Sequence, residues 1–129
     1  EGVVHPIAPG LYGLSNDRLD TPWPKVENGR QRLATLLQND DLNPEALLSL
    51  LADEQPAPAS ALPDTGVGAE WERALSSIFI RTPAYGTRAS TLLLIDYEGH
   101  VTFVERTHAP GEEPVTRRYA FAAEPEPVP

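Results

Sequence analysis

Two polar side chains in this sequence stand where chemistry is conceivable, Asn16 and Arg88. Asn16 lies in Ser15-Asn16-Asp17, three residues whose side chains hydrogen-bond their own backbone and favour turns. Leu11, Tyr12 and Leu14, interleaved with Gly13, precede it and read as a short buried strand where another backbone comes close. Behind it come Asp20-Thr21 and then Pro22-Trp23-Pro24, whose prolines fix φ and hold Thr21 and Trp23 out of the α region. A strand ending in such a turn, backed by a stiff aromatic wedge, can present one polar side chain. The plainer alternative is a strand-to-helix connection in which the polar groups only cap and Trp23 only packs. Arg88 follows Tyr85-Gly86-Thr87 and opens the apolar run Leu92–Ile95, so a permanent charge begins an element otherwise expected to be buried. It either pairs with a carboxylate, Asp20 or Asp96, or binds an anion or a developing oxyanion. His5, His100 and His108 are scattered, no HxH or HxxxH spacing occurs, and no metal site is expected.

The elements that position these residues follow from periodicity. Val26, Leu33, Leu36 and Leu37 form a helical stripe beginning at Pro24, a residue suited to the first turn. Gly29 costs that helix about 1 kcal/mol relative to alanine, less than the burial of its leucines returns at roughly 1.5–3 kcal/mol each. Asn39-Asp40-Asp41 ends it. Asn43-Pro44-Glu45 starts a second helix with a cap, a first-turn proline and an acid at the positive end of the dipole. Gln55–Pro63 reads as an exposed Pro/Ala connection, and a short helix is expected near Ala69–Leu75. Leu92–Ile95 is a continuous apolar run, consistent with a strand covered on both faces, and His100–Thr107 and Val115–Phe121 return as strands. Thr87–Phe121 is therefore expected to be an antiparallel meander.

Composition narrows the function. The 129 residues suit one domain or part of one, with 40% hydrophobic content and a net charge of −9. Such acidity argues against a nucleic acid or an anionic membrane surface as partner, and no apolar run is long enough to span a bilayer. The absence of cysteine removes disulfides, thiolate nucleophiles and cysteine metal sites. Methionine is absent too, so a sequence opening Glu1-Gly2-Val3, with nothing like a signal peptide, is expected to be a truncated or processed piece with a cytoplasmic address. Residues 1–123 are expected to belong to a single domain, and residues 124–129 to a disordered tail.

Taken together, GLYGLSNDRLDTPWPKV, SSIFIRTPAYGTRASTLLLID and VTFVERT resemble the second half of the NRDE family, also called the transport and Golgi organisation protein 2 family. The resemblance implies an α+β fold with an antiparallel sheet and packed helices, part of an αββα sandwich related to the N-terminal-nucleophile (Ntn) hydrolases. The methionine-cysteine start and the Asn-Arg-Asp-Glu string of that family are not in this sequence. The resemblance thus implies a C-terminal portion without the nucleophile, acting on or binding an acyl, amide or haem-like small molecule. By analogy with related cysteine-nucleophile amidases, Asn16 and Arg88 would take catalytic places, as oxyanion donor and as a cation near the nucleophile. Ser15, Asp20, Trp23, Tyr85 and Thr87 would line the same cleft. The alternative implied is a non-catalytic carrier or interaction protein in Golgi organisation, secretion or haem and lipid handling. No cofactor is evident from the residues, haem being implied by the family alone. The expected partners are a small molecule and either an N-terminal half or a second copy of the chain.

Overall fold

The computed structural model describes residues 2–123, and the expected tail at 124–129 lies outside them. Helix α1 (Pro24–Gln38) begins directly behind Trp23, with Pro24 in its first turn. Helix α2 (Pro44–Leu51) is capped as its sequence dictates, the Asn43 Oδ1 accepting from the Ala46 N–H at 2.9 Å. A 3-10 turn at Ala59–Ala61 and a short helix α3 (Ala69–Ala74) follow. Strands β1 (Ala89–Ile95), β2 (His100–Thr107) and β3 (Val115–Ala122) form one antiparallel sheet in sequential order, with Leu92 opposite Val104 and Val104 opposite Arg118. The expected α+β class and meander are both observed.

One face of this sheet carries the core. Leu47 and Leu48 from α2 meet Leu92 of β1 and Val104 of β2, ringed by Leu33, Leu36, Leu51 and Leu94. Asp53, just beyond α2, pins this layer to α1: its carboxylate accepts from Asn28 Nδ2 and Arg32 Nη1, both at 2.8 Å, while its carbonyl accepts from Phe79 N–H. The Gln55 N–H, at 3.0 Å, does most to hold the Asp53 carboxyl below the usual range, and Asn28 and Arg32 add to it against the effect of burial.

Three local expectations change. The run Leu92–Ile95 is not covered on both faces: Leu92 is 8% exposed but Leu93 59% and Ile95 63%. Side chains alternate across a strand, and on the other face Leu93, Ile95, Tyr119 and Phe121 are exposed, while Val101, between Ile95 and Phe121 on the central strand, is buried. Leu11–Leu14 forms no strand, and Leu14 is exposed. Its backbone is occupied locally instead, since Gly13 N–H donates to Asp20 Oδ1 and Asp20 N–H donates to Gly13 O, each at 2.7 Å. Gly13 does mark a close approach, though by a side chain: a Cβ there would sit 2.5 Å from Val26 Cγ1. The Pro/Ala connection is largely exposed as expected but is fastened at Ala57, which is buried and donates its N–H to Ser76 Oγ at 2.8 Å.

Candidate functional site

The loop Leu14–Trp23, the start of α1, the turn before α3 and α3 itself enclose a cavity of about 670 Å³. Trp23, Trp71, Val67, Leu75 and Tyr85 give it an apolar, aromatic wall. Trp71 meets Tyr85 edge to face with ring centroids 6.3 Å apart. Each part of the wall is fixed by a polar anchor. The turn ahead of α3 is held by Glu72, a buried carboxylate that accepts from the Thr65 hydroxyl and N–H, both at 2.6 Å. Those two donors, the hydroxyl first, hold the Glu72 carboxyl below the usual range, so it is an anion. Across the cavity, Lys25 Nζ donates to the carbonyl of Leu75 at 3.0 Å and lies 5.6 Å from the centre of the Trp23 ring. Burial lowers the pKa of this amine from its ordinary value.

The sequence-derived site residues distribute over three adjoining hollows. Asn16, Trp23 and Tyr85 line the cavity just described. Tyr85 also lines a second, of about 340 Å³, together with Thr87, Arg88 and His108. Ser15 and Asn16 line a third, of about 420 Å³, against Val26 and Arg30 of α1. Asn16 and Arg88 therefore face neighbouring cavities that share Ile80 and Tyr85 as a common wall. Asp20 closes the loop from Gly13, adopts a left-handed φ of 58° and lies 3.8 Å from Arg30. Thr87 Oγ1 accepts from Ile80 N–H at 2.9 Å, which holds Tyr85 between Thr82 and the strand.

Arg88 is exposed, and its guanidinium has no carboxylate partner among the described residues. Neither acid proposed for it is engaged with it: Asp20 faces Arg30, and Asp96 binds His100. Beside Arg88, the His108 N–H donates to its carbonyl at 2.8 Å, and the His108 ring packs edge-on to Phe79 at 4.7 Å. His108 Nε2 lies 3.2 Å from Ser90 Oγ. Burial, then the charges of Arg106 and Arg81, lower the His108 pKa, favouring the neutral ring.

Two groups escaped the sequence reading. Lys25 is the single lysine among ten basic residues. Asp96, Glu98 and His100 bring one ligand atom each within 4.8 Å of one another, a grouping the Asp-x-Glu-x-His spacing contains. They are exposed, and Asp96 already closes the β1–β2 turn by accepting from the Glu98 and His100 N–H groups.

The architecture is thus an α+β protein with helices packed on a meander and an apolar cavity walled by loops, α3 and the start of α1. The sequence profile of the Transport and Golgi organisation 2 family matches residues 2–110, and the chain belongs to that family. It is 40% identical over 109 residues to the Transport and Golgi organization protein 2 homolog of Bos taurus, an alignment covering 78% of this chain and 40% of the relative. The Homo sapiens homolog is 37% identical over the same length and coverage. The chain therefore spans about 40% of the length of the curated relatives it matches. No helix among the described residues is long and apolar enough to cross a membrane.

Proposed function

We propose that this chain is the ligand-binding portion of a Transport and Golgi organisation 2 protein, and that it acts on or binds a small, largely apolar molecule carrying an acyl or amide group. The observation that supports this reading is the gathering of Asn16, Trp23 and Tyr85 around one aromatic cavity of about 670 Å³, a volume typical of small-molecule sites. In this reading the Asn16 amide donates to the carbonyl oxygen of the ligand. Arg88, behind the shared Tyr85 wall, supplies positive potential or meets an anionic end. The sheet belongs to an Ntn-hydrolase-like sandwich, and the nucleophile of any acyl transfer comes from outside these residues. A suitable probe is N-octylacetamide, measured by calorimetry. The expected result is saturable binding that weakens about tenfold in Asn16→Ala, the loss of one hydrogen bond to a buried carbonyl. Equal affinity in the variant and the parent would remove Asn16 from the site.

The open face of the sheet favours a second reading, an interaction protein whose exposed Leu93, Ile95, Tyr119 and Phe121 are covered by the remainder of a family-length chain or by a second copy. Roles in Golgi organisation, secretion or haem and lipid handling attach to this reading through the family. Sedimentation over a range of concentrations tests it: self-association abolished by Leu93→Lys supports the second copy, and a monomer at every concentration rejects it.

A further inference from the structure

The cavity holds a group whose chemistry the binding reading leaves unused. Lys25 is the single lysine of the chain, the nine other basic residues being arginine. Arginine serves as well as lysine for solubility and for surface ion pairs, so one amine among nine guanidinium groups is notable for where it sits. It sits in the hollow of about 670 Å³, with Trp23 beside it and Trp71, Leu75 and Tyr85 around it. No carboxylate pairs with it among the described residues: its one hydrogen bond is to a neutral carbonyl, that of Leu75. The acid in the same cavity, Glu72, spends its oxygen on Thr65.

We infer that Lys25 is a nucleophilic amine that captures an apolar aldehyde or ketone in this cavity as an imine. An amine that donates one hydrogen to Leu75 O keeps its lone pair for attack, provided it is neutral, and burial without a counter-ion favours the neutral form. The ring of Trp23 at 5.6 Å works the other way, favouring the ammonium, yet it also fixes one flank of the site. In the step itself, the Nζ lone pair forms the N–C bond while the carbonyl π pair moves to oxygen, giving a carbinolamine. Both amine hydrogens then leave with that oxygen as one water molecule, and a C=N bond remains. Protons pass through solvent at the cavity mouth, where Trp71 and Tyr85 are about half exposed. No oxidant or metal is required. The aromatic wall selects the body of the ligand, and the amine selects its carbonyl.

This inference rests on the proposed small-molecule site, and the experiment separates the two. The chain is incubated with octanal at neutral pH, the imine is trapped with cyanoborohydride as a secondary amine, and the labelled position is found by peptide mass mapping. In parallel, octan-1-ol, which fits the cavity but has no carbonyl, is titrated against intrinsic fluorescence. The only two tryptophans, Trp23 and Trp71, both line this cavity and report on it alone. The expected result is an octyl group on Lys25, installed at least about tenfold faster in the folded chain than in urea. Trp71→Ala should slow the labelling toward the unfolded rate, and prior saturation with octan-1-ol should protect Lys25. Labelling no faster in the fold than in urea overturns the inference. If octan-1-ol still gives saturable quenching in that case, the cavity reading stands and the imine alone is rejected; if it gives none, both fall.

Discussion

The packed side of the sheet and the loop-walled cavity are built on opposite principles. On the packed side, Leu47, Leu48, Leu92 and Val104 come from three regular elements and are held by apolar burial, with the Asp53 carboxylate fastening the layer to α1. Around the cavity the large side chains stay partly exposed, and position is set by individual hydrogen bonds: Asp20 to Gly13, Lys25 to Leu75, Glu72 to Thr65 and Ser76 to Ala57. The first region holds the fold together. The second keeps apolar surface open at local cost, which is what a ligand site requires.

That division is open to attack, and the largest expected effect lies in the core. Leu48 is 1% exposed, and Leu48→Ala should cost about 2–5 kcal/mol in urea unfolding. Trp71→Ala, at a residue 46% exposed, should cost far less while abolishing the fluorescence and labelling responses of the cavity. Comparable losses of stability in the two variants would erase the distinction. Next comes the seam between the regions. Asp53→Asn removes a carboxylate that serves Asn28, Arg32 and Gln55, and should cost about 1–3 kcal/mol, read as a lowered urea midpoint. The same carboxylate has a depressed pKa in the fold, so its contribution is present above the unfolded value and is lost as pH falls through the folded one.

The smallest effect is the pH response of His108. Its folded pKa is depressed, so in acid the unfolded chain takes up the proton first. Stability should therefore fall as pH drops from the ordinary histidine value, about 6.5, toward the lower folded value, and be unaffected above it. Urea midpoints at pH 7.5 and 6.0 check this, with the difference smaller in His108→Gln. A pH response identical in that variant would mean that the imidazole beside Arg88 does not gain from being neutral.

Much of the regular structure could be read from the residues. Asn43-Pro44-Glu45 announced the start of α2 through a cap, a proline and an acid, and the hairpin turn at Glu98-Gly99 uses a glycine at φ 81°. Local chemistry decides such features, so local sequence reveals them. The coverage of Leu92–Ile95 was not legible, because a continuous apolar run records what a strand tolerates on each face and not which layers lie over it. The buried strand at Leu11–Leu14 was misread for a related reason: its pattern suits a strand, but pairing needs a neighbour, and Asp20 occupies the backbone instead. The cavity was half visible. Asn16, Trp23 and Tyr85 were singled out and share it, as does Lys25 two residues beyond Trp23, while Thr65, Trp71 and Glu72 enter it from a segment far along the sequence whose convergence no spacing encodes. The signal for Lys25 lay in composition, as the one amine in a chain that otherwise uses arginine.

The central claim is that small apolar molecules enter the aromatic cavity and not the open face of the sheet. A titration of the ¹⁵N-labelled chain with octan-1-ol, followed by NMR, tests it directly. The account predicts that the indole N–H resonances of Trp23 and Trp71 shift together with a single saturation curve, while the amides of Leu93, Ile95, Tyr119 and Phe121 stay in place. Shifts confined to those four strand residues, with both indoles unmoved, would contradict it.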